Sequence, residues 1–236
     1  MTEVAIVPDV ATAAVELCVE SLAGAVAARG EASVAITGGS SAKPLFAQLA
    51  SANVPWEKTR IFFTDERAVP PTHDLSNYRL AEQDLLSKIR PAAVHRMRGE
   101  AKDLAAEARR LADEMADVLG KPPRLDLVLL GLGPDGHICS LFAGVPSSGD
   151  RGDDEVVRAV APPEHVEPKV ARLTLVPFLV VTARMVVLQV TGSSKAELLS
   201  HALKGPIDLV ASPVQWLRKA SGRAVVVCDE AAASRL

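Results

Sequence analysis

Apolar and polar positions along this chain switch repeatedly between a helical and a strand period. "ATAAVELCVESLAGAVAARG" repeats at helical spacing, placing Ala14, Leu17, Cys18, Ser21, Leu22 and Ala25 on one face, with Gly30 as its stop. "SVAIT" predicts a short strand, "KPLFAQLAS" a helix and "RIFFTDE" a second strand. "SNYRLAEQDLLSK" predicts a helix capped by Ser76, and "EAKDLAAEARRLADEMADVLG" a long helix with one polar face. "LDLVLLGL" is an unbroken apolar run of strand length, the pattern of a strand buried on both faces. After a Gly/Ser/Asp-rich loop from Gly144 to Asp154, strands are expected near "EVVRAVA", "RMVVLQVTG" and "RAVVVCD". Helices near "LVPFLVVTA" and "KAELLSHAL" separate them. The alternation predicts an α/β fold, a single domain over residues 1–236 with a doubly wound, mainly parallel sheet flanked by helices. The Gly144–Asp154 segment reads as a surface loop within that domain.

In such a sheet, ligands bind at the carboxyl ends of the strands, where the crossovers diverge. The residues to inspect are therefore "TGGSSAK", "TDERAVP", "GLGPDGH" and "TGSSK", each directly after a predicted strand. Between them these loops carry glycines, hydroxyls, carboxylates and cations, which is more chemistry than turns require.

Composition narrows the classes. With 48% hydrophobic and 23% charged residues, the 236-residue chain has the balance of a soluble globular protein. A net charge of −3 offers no cation excess for nucleic acid. The longest apolar runs are of strand length, so no membrane span is expected, and "MTEVAIVPDV" lacks the basic and apolar segments of a secretory signal. Cys18, Cys139 and Cys228 are far apart and odd in number; they read as small buried hydrophobes in a reducing, cytoplasmic setting. No His/Asp/Glu group stands at ligand spacing, so no metal is expected.

Gly131, Gly133 and Gly136 spell G-x-G-x-x-G, but three features oppose a dinucleotide cradle. Asp135 would set a carboxylate against pyrophosphate. "HICSLFAGVPSSG" reaches Gly144 and Pro146 before a full crossover helix can form, and the acids Asp153, Asp154 and Glu155 precede the next strand instead of ending it. The glycines instead allow a sharp turn that brings Asp135 and His137 out over the sheet. His137 is then expected to be a general base and Asp135 the carboxylate that orients it, the alternative being a histidine that caps the following helix or sits satisfied in the core. His73, His95, His165 and His201 lack a comparable setting and read as surface or structural.

The other loops read as anion sites. Gly38 and Gly39 expose backbone N–H groups and Ser40 and Ser41 add hydroxyls, although a plain strand-to-helix turn with a serine cap uses the same residues. Asp65, Glu66 and Arg67 form a charge cluster in which the guanidinium suits a bidentate phosphate contact. Lys195, in the first turn of its helix, opposes the helix dipole, a conflict that a bound anion resolves. Arg172 in "RLTL" and Lys169 are weaker candidates of the same kind.

Taken together, "TGGSSAKPLF", "FFTDERAVPPTHDLSNYRLAEQDLL", "LDLVLLGLGPDGHICSLFAG", "RLTL" and "VTGSSKAELL" resemble the 6-phosphogluconolactonase family over nearly the whole chain. That family lies in a wider group that includes glucosamine-6-phosphate deaminase. The chain departs from the usual lactonase pattern between Thr37 and Ala42 and at Ala143, positions that touch loop rigidity and hydroxyl placement but not the charged groups. The deaminases carry a ring-opening glutamate five residues after the histidine, where this chain has Phe142, and D-E-Y where it has Asp65-Glu66-Arg67. The resemblance implies metal-independent, cofactor-free hydrolysis of 6-phospho-D-glucono-1,5-lactone in the oxidative pentose phosphate pathway. It assigns His137 and Asp135 to catalysis. Gly38, Gly39, Ser40, Ser41, Asp65, Arg67, Arg172 and Lys195 go to the substrate and its phosphate. The partner is then a small phosphorylated lactone, with no nucleic acid or membrane, and the protein a monomer. A deaminase or isomerase, or a sensor that binds a sugar phosphate without turnover, are the alternatives; the intact Asp135–His137 pair and the absence of an appended DNA-binding segment oppose a sensor.

Overall fold

A computed structural model describes residues 2–39, 41–145 and 155–236. The first helix, α1 (Val10–Arg29), begins at Asp9, whose side chain accepts from the Thr12 N–H, and ends at Gly30 with φ +83°. Both ends are thus closed by the residues best suited to them. It links β1 (Thr2–Ile6) to β2 (Ala32–Ile36). Next come α2 (Ala42–Leu49), β3 (Thr59–Phe63), β4 (Asp65–Arg67), α3 (Asn77–Asp84) and β5 (Ala93–Val94). Helix α4 (Leu104–Leu119) then crosses to β6 (Leu127–Gly131). The remainder runs β7 (Val157–Val160), β8 (Arg172–Leu175), α5 (Pro177–Thr182), β9 (Met185–Val190), α6 (Ala196–Lys204), β10 (Arg223–Cys228) and α7 (Glu230–Ala233).

Among the described residues, seven strands form a parallel sheet in the order β1-β10-β9-β6-β2-β3-β5. From β2 the chain moves outward through β3 to β5, returns to β6 beside β2, and then moves the other way through β9 and β10. The direction of winding therefore reverses between β2 and β6, and the loops that follow these two strands part there to leave a crevice. Strand residues alternate between two cores. Val34, Ile36, Ile61, Phe63, Leu127 and Leu129 pack with Ala14, Cys18 and Leu22 of α1, whereas Ala35, Phe62, Val128 and Leu130 pack with Leu111 and Met115 of α4. Burial on both faces is why these strands read as continuous apolar runs.

The structure departs from the sequence expectations in four places. The expected strand at "EVVRAVA" is β7, which belongs not to the parallel sheet but to a small antiparallel one, β4-β8-β7. Asp65–Arg67 are correspondingly a short strand paired with Arg172–Leu175, not a loop. The N-terminal residues form the edge strand β1 on β10. Finally, α1 is long and apolar enough to cross a membrane, although no segment of that length was expected. In this fold it lies along β2, β9 and β10 and buries Ala14, Cys18, Leu22 and Ala25, which accounts for its apolar composition. Of the predicted Gly144–Asp154 loop, residues 146–154 lie outside the described residues.

Candidate active site

The site is built from the loops that follow β2, β6 and β9, from β4, and from the first residue of β8 with the segment that precedes it. After β6 the backbone turns back on itself: the Gly136 N–H donates to Gly133 O, and the Gly133 N–H to His137 O at 2.9 Å. Gly136 sits at φ +87°, a conformation that favours glycine. Gly133 is required for a different reason: a Cβ there would lie 2.1 Å from His137 Nδ1. The glycine run is therefore a seat for an imidazole. Among the described residues no crossover helix follows it; Ile138 bridges Leu141, and Cys139 takes φ +53° at the tip of the tight turn.

His137 Nδ1 lies 2.5 Å from Asp135 Oδ1, which also accepts the His137 N–H. The other oxygen, Oδ2, accepts from the Ala143 N–H and lies 2.9 Å from His165 Nε2. Burial alone would raise the Asp135 carboxyl, but its hydrogen bonds and charge contacts with the two histidines outweigh burial and hold it well below the usual carboxylate range. An ionised carboxylate only accepts, so Nδ1 of His137 and Nε2 of His165 both carry hydrogen. In neutral His137 the lone pair is then on Nε2, the tautomer a base needs. His165, read from sequence as surface or structural, thus touches the Asp135 carboxylate. The local signal was absent because its partner lies thirty residues away. His95 is structural as expected, buried, stacked on Phe62 and paired with Glu114.

His137 faces a cavity of about 390 Å³, within the roughly 300–1,000 Å³ range of small-molecule sites. Gly38, Gly39, Ser41, Asp65, Arg67, Arg172 and Lys195 all line it; Asp135 stands behind His137, and Ser40 lies outside the described residues. Lys169 is exposed and does not line the cavity. Gly38 has no room for a Cβ, which would sit 1.9 Å from Asn77 Oδ1. Ser41 holds the N-cap place of α2 but makes no capping bond, leaving its hydroxyl on the cavity wall. Asp65 is buried and engaged by Asn77 Nδ2 at 3.0 Å and Ser140 Oγ at 2.6 Å. It lies 3.8 Å from the Arg172 guanidinium. Its neighbour Glu66 accepts from the N–H groups of Arg67, Asn77 and Tyr78 and from Ser76 Oγ, fastening β4 to the start of α3.

Three cations converge on the cavity. Arg67 and Arg172 are directly opposite in the β4–β8 pairing. Arg67 donates to Leu75 O at 2.7 Å and Arg172 to Pro168 O at 3.0 Å, while the Nε of each is buried without a partner among the described residues. Burial lowers the Arg172 guanidinium, Asp65 opposes that shift and the charge of Arg67 adds to it. Lys195 closes a 3-10 turn ahead of α6 and so just precedes the helix. Burial lowers its ammonium against the pull of Asp135, and it makes no ion pair with another described residue. Sequence reasoning missed Gln189, a buried side chain on the wall whose Nε2 has no partner. A polar residue at the end of an apolar strand was its only signal.

The cavity also holds Cys139, but burial and the nearby Asp65 push its thiol well up, so it supplies no thiolate nucleophile. Among the described residues no His, Cys, Asp or Glu cluster is arranged to hold a metal ion; His137 and His165 each direct one ring nitrogen at Asp135. What the arrangement can do is activate a water beside a bound phosphorylated ligand.

The family model for glucosamine-6-phosphate isomerases/6-phosphogluconolactonase matches residues 7–226. The 6-phosphogluconolactonase of Rhizobium meliloti (strain 1021) is 37% identical over 181 residues, 77% of each chain. That of Synechocystis sp. is 34% identical over 220 residues, 90% of this chain and 88% of its own. The solved 6-phosphogluconolactonase of Trypanosoma cruzi matches with a TM-score of 0.88 at 27% identity, covering 100% of this chain and 97% of that one. A solved monomeric glucosamine-6-phosphate deaminase, 21% identical with a TM-score of 0.84 over the full length of both chains, shares the fold.

Proposed function

Because this chain belongs to the glucosamine-6-phosphate isomerase/6-phosphogluconolactonase family, we propose that it hydrolyses 6-phospho-D-glucono-1,5-lactone to 6-phosphogluconate, the lactone-opening step of the oxidative pentose phosphate pathway. The observation that carries this reading is the His137–Asp135 pair at 2.5 Å, set on a cavity whose other walls bring Arg67, Arg172 and Lys195.

In the proposed reaction His137 Nε2 takes a proton from water as its oxygen bonds to the lactone carbonyl carbon. The imidazolium that forms is stabilised by Asp135, which stays ionised throughout. The tetrahedral intermediate then collapses. The ring C–O bond breaks, the imidazolium returns its proton to the leaving oxygen, and the new carboxylic acid releases a proton to solvent. Arg67, Arg172 and Lys195 hold the 6-phosphate, while the Gly38–Ser41 turn offers N–H groups and a hydroxyl to the sugar. Phe142 favours a lactonase over a deaminase. Its buried ring meets His137 edge-on at 5.1 Å, so an apolar group fills the place of the ring-opening acid.

We take the protein to act as one catalytic domain over residues 1–236, as a cytoplasmic monomer without cofactor or metal. The decisive experiment follows proton release from freshly generated 6-phosphogluconolactone, corrected for spontaneous hydrolysis. Saturable acceleration is expected; a rate equal to the uncatalysed one overturns the reading.

A further inference from the structure

The geometry points to His165 as a positioning residue for the catalytic pair, the second imidazole that locks the Asp135 carboxylate in the plane His137 requires; this rests on the lactonase reading above.

Asp135 has two oxygens and, among the described residues, four donors. Oδ1 accepts from the His137 side chain and its N–H, and Oδ2 from His165 Nε2 and the Ala143 N–H. Without His165, Oδ2 keeps one donor, at 3.2 Å. Rotation of the carboxylate about its Cβ–Cγ bond, which shifts Oδ1 relative to Nδ1, is then opposed by one donor fewer. A short bond to Nδ1 is what selects the tautomer with its lone pair on Nε2, so loosening Asp135 depletes the reactive form of His137.

The carrier of His165 is anchored. Val166 is buried against Phe142 and Val160, and two residues further on Pro168 O accepts from Arg172. The His165 ring also stands edge-on to Phe142, at 6.4 Å between centroids. Phe142 touches both imidazoles, so one apolar ring spaces the two histidines that grip Asp135. Val166 and Glu167 line the same cavity, which makes this segment its wall.

The test compares His165→Ala with His165→Gln, whose amide nitrogen can replace Nε2 as donor. Losing one orienting hydrogen bond should lower kcat of His165→Ala about two- to tenfold, with KM within about twofold of the wild type. His165→Gln should recover most of that loss. Imidazole nitrogen shifts of neutral His137, read by NMR without substrate, should move from the Nδ1–H form toward a mixture in His165→Ala and return in His165→Gln. Unchanged kcat and unchanged His137 shifts in His165→Ala overturn the proposal, as does a Gln variant as impaired as the Ala variant. A wild type with no lactonase turnover whose His137 shifts still respond to His165→Ala would overturn the substrate reading while supporting the positioning role.

Discussion

Gly133→Ala tests the seat of His137, the proposed general base, with a single methyl group. The added Cβ would lie 2.1 Å from His137 Nδ1, 2.2 Å from Cε1 and 2.5 Å from Cγ, whereas ordinary contact begins near 3.4 Å. Restoring contact moves the ring by about 1.3 Å, the difference between 3.4 and 2.1 Å. The side chain is short and its Nδ1 is held 2.5 Å from Asp135, so the ring cannot move that far and keep the bond. A misplacement of about 1 Å costs on the order of a hundredfold in rate, and losing the oriented base altogether up to about ten-thousandfold. The loop is half-buried and its neighbours are side chains, so overpacking should cost stability only about 1–3 kcal/mol. Steady-state kinetics on the phosphorylated lactone should therefore show kcat down at least about a hundredfold with KM little changed. Thermal unfolding of the same samples should show a folded protein. A folded Gly133→Ala with kcat near wild type would refute the view that these glycines exist to seat His137. A loss confined to KM would show that the loop serves binding instead.

The remaining predictions concern individual groups. His137→Ala should fold normally, by circular dichroism and thermal unfolding, and lose at least about a hundredfold in kcat. Arg67→Ala and Lys195→Ala should each lose roughly ten- to a hundredfold in kcat/KM on the phosphorylated lactone and little on unphosphorylated gluconolactone, with Arg67→Lys recovering only part. The depressed carboxyl of Asp135 contributes stability above its unfolded value of about 3.9, and this is lost as pH falls through the lower folded value. Between pH 5 and about 2, Tm should consequently fall less steeply in Asp135→Asn than in the wild type. Glucosamine 6-phosphate should release no ammonia above a no-enzyme control, because Phe142 supplies no acid beside His137.

Legibility in the sequence followed the range of each interaction. Gly30 as a helix stop, Ser76 as a cap accepting from the Arg79 N–H, and the turn that presents His137 are all local, and they were readable. Strand period is local too, but strand partners are not. "EVVRAVA" alternates in the same way whether it joins a parallel or an antiparallel sheet, so β7 was placed in the wrong one. The edge strand β1 leaves Val4 and Ile6 exposed, which blurs the alternation that would have marked it. His165 escaped because nothing near it in the chain is polar in a telling way. Its meaning comes only from Asp135 across the fold.

The small antiparallel sheet explains why the cationic side of the site was only half legible. Arg67 stood out after an apolar strand, whereas Arg172 in "RLTL" was a weak candidate with no evident partner. Register joins them: the pairing of β4 with β8 sets Arg67 directly opposite Arg172. Like charges facing each other across an antiparallel pair are destabilising, and here one of the two is buried at 2% exposure. Asp65 offsets only part of this, since its carboxylate already serves Asn77 and Ser140 and stands 3.8 Å from Arg172. A fold that held two guanidinium groups together for stability would give each a carboxylate. Here Arg67 has a backbone carbonyl, Arg172 shares the distant Asp65, and among the described residues the Nε of each is left without a partner beside a common cavity. In the proposed complex a dianionic phosphate between them supplies the missing charge. In the proposed reaction, the cost of setting two guanidinium groups opposite each other is offset by binding the end of the substrate farthest from the bond that breaks, and that anchoring would bring the His137 imidazole to the lactone carbonyl in register.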